Sequence, residues 1–80
     1  MARYPHALVA DLIARRHQLG WTQQALGRRI NVAQGTVAQW ESGRNLPPID
    51  RLESYAAAVG LRLALVPAEQ QSADELGEAS

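Results

Sequence analysis

Five interruptions limit what this chain can fold into. Gly20, Asn31, Gly43, the pair Pro47-Pro48 and Gly60 break its 80 residues into short segments, and the longer ones between Pro5 and Gly60 run to about two to four helical turns. Glycine and asparagine take the left-handed conformation that ends a helix, and two successive prolines forbid helix through that point. Between the interruptions, apolar residues recur at helical spacing. Leu8, Val9, Leu12, Ile13 and Leu19 form a stripe on a first helix that Gly20 closes, with Pro5 suited to its first turn. Thr22 is a good N-cap for a second helix, TQQALGRRI, and Trp21 and Leu26 hold the two positions of a hydrophobic staple around that cap. Ala25 stands where a reciprocal capping box would need glutamate or glutamine. Asn31 ends the second helix.

Only Asn31, Val32 and Ala33 precede the third helical run, QGTVAQWES. Two short helices joined so closely must cross steeply, with Val32 and Val37 filling the angle. After the loop RNLPP, a fourth helix runs IDRLESYAAAV and sets Ile49, Leu52, Ala56 and Val59 on one face. Residues 61–66, LRLALV, then alternate, with Leu61, Leu63 and Leu65 on one side before Pro67. They read as one short strand, with a short fifth helix as the alternative. A lone strand leaves its edges unpaired, and the same strand of a second molecule is its simplest partner. The expected fold class is all-α: a compact bundle of four to five helices in residues 1–67, with one C-terminal β-strand over 61–66 pairing across a dimer. Residues 68–80 are polar, acidic and poor in large apolar groups, so a disordered tail is expected.

The formal net charge is zero, but its distribution is uneven. All eight basic residues are arginines and lie within 1–67, against four acids there; the tail carries four acids and no base. A basic domain with an acidic tail favours a polyanionic partner. With no cysteine there is neither a disulfide framework nor a thiolate metal site. His6 and His17 stand eleven residues apart without an acidic cluster between them, so no metal is expected. No apolar run reaches membrane-span length, and MARYPHALVADLIARR lacks the pattern of a signal peptide. A cytoplasmic protein is expected, with no membrane partner. No glycine-rich phosphate loop, zinc-ligand spacing or nucleophile–base set is visible, which argues against an enzyme and implies no cofactor.

A more specific pattern joins these elements. Arg16-His-Gln-Leu-Gly20, Trp21-Thr-Gln-Gln-Ala-Leu26, Asn31-Val-Ala-Gln34 and Thr36-Val-Ala-Gln-Trp-Glu41 with Ser42-Gly43 follow one another without a gap. The run continues through Pro47 to Ala57-Ala-Val-Gly60. This segment, from Leu12 to Leu61, resembles the lambda-repressor/Cro (XRE) family of helix-turn-helix DNA-binding domains. The resemblance implies that the third helix lies in the major groove of double-stranded DNA, its N-terminal residues toward base edges. Gln34, Gly35, Ala38 and Gln39 match the base-contacting positions. A glutamine amide offers a donor and an acceptor, which suits adenine N6 and N7. Ala38 could touch a thymine methyl. Gln23 matches a phosphate-binding position, and Thr36, Arg44 and Asn45 are placed to grip the backbone with it. Arg28 and Arg29 read equally well as phosphate contacts or as solvated surface. Arg16 and Glu41 match a structural ion pair, and Trp40 is expected in the core.

Three positions depart from the family. Gly35 replaces a side chain that usually reads bases. Ala33 stands where serine is frequent, and alanine is the poorer N-cap by about 1 kcal/mol. Gly27 replaces an alanine where the helices approach closely, an exchange expected to keep the contact and weaken the helix.

The leading expectation is therefore a homodimeric transcriptional repressor on a palindromic operator, with Leu61, Leu63 and Leu65 at the dimer contact. An antitoxin of a type II toxin–antitoxin pair is the runner-up, its tail covering a basic toxin partner. A protein-interaction module without DNA binding is the third reading.

Overall fold

The computed structural model describes residues 4–68, and all of their regular structure is helical. Four helices follow in order: α1 (Ala7–Gln18), α2 (Gln23–Ile30), α3 (Gln34–Glu41) and α4 (Ile49–Ala58). Each begins and ends for a local reason. The Nδ1 of His6 accepts from the Leu8 N–H at 3.0 Å, so His6 caps α1 and Pro5 lies outside the helix instead of in its first turn. The Thr22 hydroxyl accepts from the Ala25 N–H at 3.0 Å and starts α2. Asn31 ends α2 at φ +60°, the left-handed conformation that asparagine tolerates among non-glycine residues. Ala33 precedes α3 and offers no capping side chain. Pro48 precedes α4.

The helices close around Leu12, Leu26, Ile30, Val37, Trp40, Tyr55, Ala56 and Val59, all buried. Trp21, Val32, Leu52 and Leu63 pack against this cluster at its margin. Gly27 makes the α2–α3 turn tight: a β-carbon there would collide with the Val32 carbonyl oxygen. The close approach expected at Gly27 is present, and here it leaves no room for the alanine methyl. The apolar stripes are also wider than the core. Leu8 is 45 % exposed and Ile49, in the first turn of α4, is 75 % exposed. The inward face of α4 runs through Leu52, Tyr55, Ala56 and Val59, with Tyr55 in the place expected of Ile49.

Residues 61–66 form neither the strand nor the alternative fifth helix within the chain. The Leu61 N–H returns to the Ala56 carbonyl at 2.8 Å and closes α4. Beyond it the segment finds no strand partner among the described residues, since the rest of them are helix, turn and loop. Leu63 alone turns onto the core, whereas Leu61 and Leu65 are exposed. Among the described residues no helix is long and apolar enough to cross a membrane. Most of the acidic tail, residues 69–80, lies outside the described residues.

Candidate nucleic-acid interface

The third helix turns two unlike faces in two directions. Val37 and Trp40 are buried on the inner face. Gln34, Gly35 and Gln39 are exposed and Ala38 is half-buried. At about 100° per residue these four share one outward arc of roughly 140°. The four residues that the resemblance assigns to bases are thus side by side on the surface. Gly35 has open space where a β-carbon would stand, so it leaves a gap in that surface between Gln34 and Gln39.

A buried polar network ties this face to the core. The Arg16 guanidinium donates Nε to Glu41 Oε2 at 2.9 Å and its terminal nitrogen to Glu41 Oε1 at 2.6 Å. Both side chains are only 7 % exposed. The other terminal nitrogen of Arg16 donates to the Trp21 carbonyl at 2.6 Å, which pins the start of α2. Tyr55 donates its hydroxyl to Glu41 Oε2 at 2.7 Å, and Gln23 donates Nε2 to Glu41 Oε1 at 3.1 Å. The Gln23 oxygen in turn accepts from Gln34 Nε2 at 2.7 Å. The buried carboxylate thus holds Gln23, and Gln23 holds the first outward residue of α3.

The charges respond to this setting. Burial alone would raise the Glu41 carboxyl, but the hydrogen bonds from Arg16, Tyr55 and Gln23 outweigh it and hold the group below its ordinary value. Its hydrogen bond to Glu41 raises the Arg16 guanidinium against the opposing effect of burial. Burial, together with its bond to Glu41, pushes the Tyr55 hydroxyl well above a free phenol. The network is ionised as a carboxylate–guanidinium pair with a neutral tyrosine across the whole physiological range.

The residues expected at phosphates are distributed around this arc. Gln23 is half-buried at the first turn of α2, with one amide N–H left over after its bond to Glu41. Thr22 caps only the Ala25 N–H, so the first backbone N–H groups of α2 point outward beside Gln23. Thr36 is half-buried on the flank of α3, and Arg44 and Asn45 are exposed in the loop that follows it. Asn45 donates Nδ2 to Gln39 Oε1 at 2.6 Å, so it reaches a residue of the outward arc directly.

Several arginines serve the fold. Arg15 donates Nε to the Val59 carbonyl at 2.9 Å and ties α1 to the end of α4. Arg29 lies 4.7 Å over the Trp21 ring. Arg28 and Arg44 are exposed. Sequence reasoning missed Tyr55, the arginine on Trp21 and the two side-chain bridges, Gln23–Gln34 and Asn45–Gln39. A tyrosine on the apolar stripe of α4 carried a signal, because its hydroxyl needs a partner once buried.

Residues 12–66 match the family model described as helix-turn-helix. An uncharacterized HTH-type transcriptional regulator of Haemophilus influenzae is 34 % identical over 67 residues, spanning 84 % of this chain and 68 % of that protein. Among solved structures, a chain of a toxin–antitoxin module from Streptococcus pneumoniae superposes with a TM-score of 0.63 at 33 % identity. The superposition covers 76 % of this chain and 67 % of that one. With the matched family spanning the second half of α1, all of α2, α3 and α4, and the outward arc of α3, the chain belongs to the XRE-type helix-turn-helix family of DNA-binding transcription regulators.

Proposed function

We propose that the protein binds a palindromic operator as a homodimer and represses transcription by occupying it. The carrying observation is the outward arc of α3, where Gln34, Ala38 and Gln39 flank the open position at Gly35. A helix of this width fits the major groove, and glutamine amides on its outer face suit the hydrogen-bonding edges there. Gln23, the free N–H groups of α2, Thr36 and Arg44 would take the backbone phosphates that fix the helix in register.

The second subunit is supported by the apolar surface on α1, α4 and the C-terminal segment. Leu8, Ile49 and Leu65 line one groove there with the half-buried Leu63, and Leu61 is exposed beside it. Two copies joined through Leu61, Leu63 and Leu65 would regain strand pairing and cover that surface. They would place two recognition helices about 34–36 Å apart, one turn of DNA.

Selection of bound duplexes from a random pool, at near-physiological salt, tests this reading. Enrichment of a palindrome with half-sites about one turn apart is the expected result. No enrichment, or enrichment of a single half-site, would refute a dimeric sequence reader.

The likeness to a chain from a toxin–antitoxin module favours a second role as an antitoxin that represses its own operon. On that reading, the product of an adjacent gene arrests growth when expressed alone, and co-expression of this chain restores growth.

A further inference from the structure

The loop after α3 folds back onto a single residue. The Gln39 carbonyl accepts from the Arg44 N–H at 3.0 Å, the Asn45 N–H at 3.3 Å and the Ser42 hydroxyl at 3.1 Å. Ser42 Oγ also accepts from the Arg44 N–H at 3.3 Å, which braces the turn. Asn45 is thereby held above Gln39, and its Nδ2 donates to Gln39 Oε1 at 2.6 Å. Both side chains are exposed, Gln39 on the outward arc of α3 and Asn45 in the loop that follows.

A free glutamine amide is ambivalent. It can turn to offer its oxygen, its nitrogen, or both together as adenine requires. In Gln39 that freedom is reduced: Asn45 takes one of the two lone pairs of Oε1 and so favours one orientation of the amide, while both Nε2 hydrogens stay free to donate. On entering a groove the latch gains strength, since the displaced water no longer competes for it.

We propose that Asn45 is a specificity-determining positioning residue: by holding Gln39 Oε1, it makes Gln39 a hydrogen-bond donor toward guanine O6/N7 or thymine O4. This differs from the phosphate contact expected of Asn45 from its place in the loop. It also differs from the adenine reading open to an unrestrained glutamine. The inference rests on α3 reading bases in the major groove, and the experiment separates the two.

The test is duplex selection with the full-length protein and three variants. Gln39→Ala identifies the base pair concerned, as the one position whose preference disappears. At that position the natural protein should enrich guanine or thymine. Asn45→Ala frees the amide and should relax the preference there about tenfold, the effect of a single mismatched pair, with all other positions unchanged. Asn45→Asp can only accept, so it should turn the Gln39 amide and change the enriched base to adenine or cytosine. Retained preference at the Gln34 position shows that each variant is folded. Uniform weakening across all sequences in Asn45→Ala would place Asn45 on a phosphate and overturn the inference. An unchanged base in Asn45→Asp would also overturn it. If the natural protein enriches no sequence, the reading of α3 as a base reader falls, and this inference with it.

Discussion

Glu41 receives four hydrogen bonds, two from Arg16 and one each from Gln23 and Tyr55. Such a carboxylate is harmless only while its partners stay. Glu41→Gln strands the Arg16 charge in a nearly closed site and should cost about 3–5 kcal/mol. Urea unfolding should show a lower midpoint with an unchanged slope. The same network sets a two-sided pH dependence. Glu41 titrates below its ordinary value when folded, so its contribution is present above the unfolded carboxyl's value and is lost as pH falls through the depressed one. Tyr55 titrates above its ordinary value when folded, so its contribution is full below about pH 10, the unfolded phenol's value, and is lost as pH rises through the folded one. Tyr55→Phe should cost about 1.5–3 kcal/mol, the worth of a hydrogen bond to a charged group. It should also flatten the alkaline limb of thermal stability and leave an acid limb in place. An alkaline limb that persists in Tyr55→Phe would mean that another group governs it. The Arg16–Glu41 contact was legible through the motif that carries both residues. Tyr55 was not, because its depth depends on which face of α4 meets α3, and Ile49 offered an equally good apolar stripe.

The helices themselves were largely legible, because their ends are chemical. Thr22 and Asn31 each fix a boundary through local hydrogen bonds or a left-handed backbone, and such signals need no tertiary context. Pro5 misled because His6 supplies an imidazole cap that the sequence does not advertise. The C-terminal segment was illegible for another reason: its alternation declares a pairing that one chain cannot supply. Three substitutions separate local propensity from packing. Gly35→Ala meets open space and should stabilise the protein by about 1 kcal/mol through helix propensity. Gly27→Ala carries the same propensity gain, yet its new methyl drives into the Val32 carbonyl, so the net effect should be destabilising. Ala33→Ser supplies the missing cap of α3 and should add about 1 kcal/mol. Thermal melts of the three proteins check the signs; a Gly27→Ala protein as stable as Gly35→Ala would show that the α2–α3 turn relaxes freely.

A protein of zero net charge binds a polyanion only through an uneven surface, and the fold sharpens that unevenness. Arg15, Arg16 and Arg29 are engaged by a carbonyl, a carboxylate and a ring. Arg44 stands exposed beside α3. With Arg28 and Arg44 the exposed cations near the ends of α3, one domain would release few counterions and gain little non-specific affinity. On the homodimer proposed above, useful occupancy would depend on joining two weak half-site contacts, where the second binds at the high effective concentration set by the first. The proposed dimer contact would then be central to function, and Leu65 offers a clean way to test it. The residue is fully exposed, so it adds little to the fold of its own chain. Leu65→Asp should leave the unfolding of the protomer almost unchanged. It should also convert a sedimenting dimer into a monomer and weaken operator binding by at least tenfold, while binding to a single half-site stays as it was. A dimer that survives Leu65→Asp with full operator affinity would move the contact off the C-terminal segment. The exposed Leu8 and Ile49 would then be the next residues to charge, since they close the other side of the same groove.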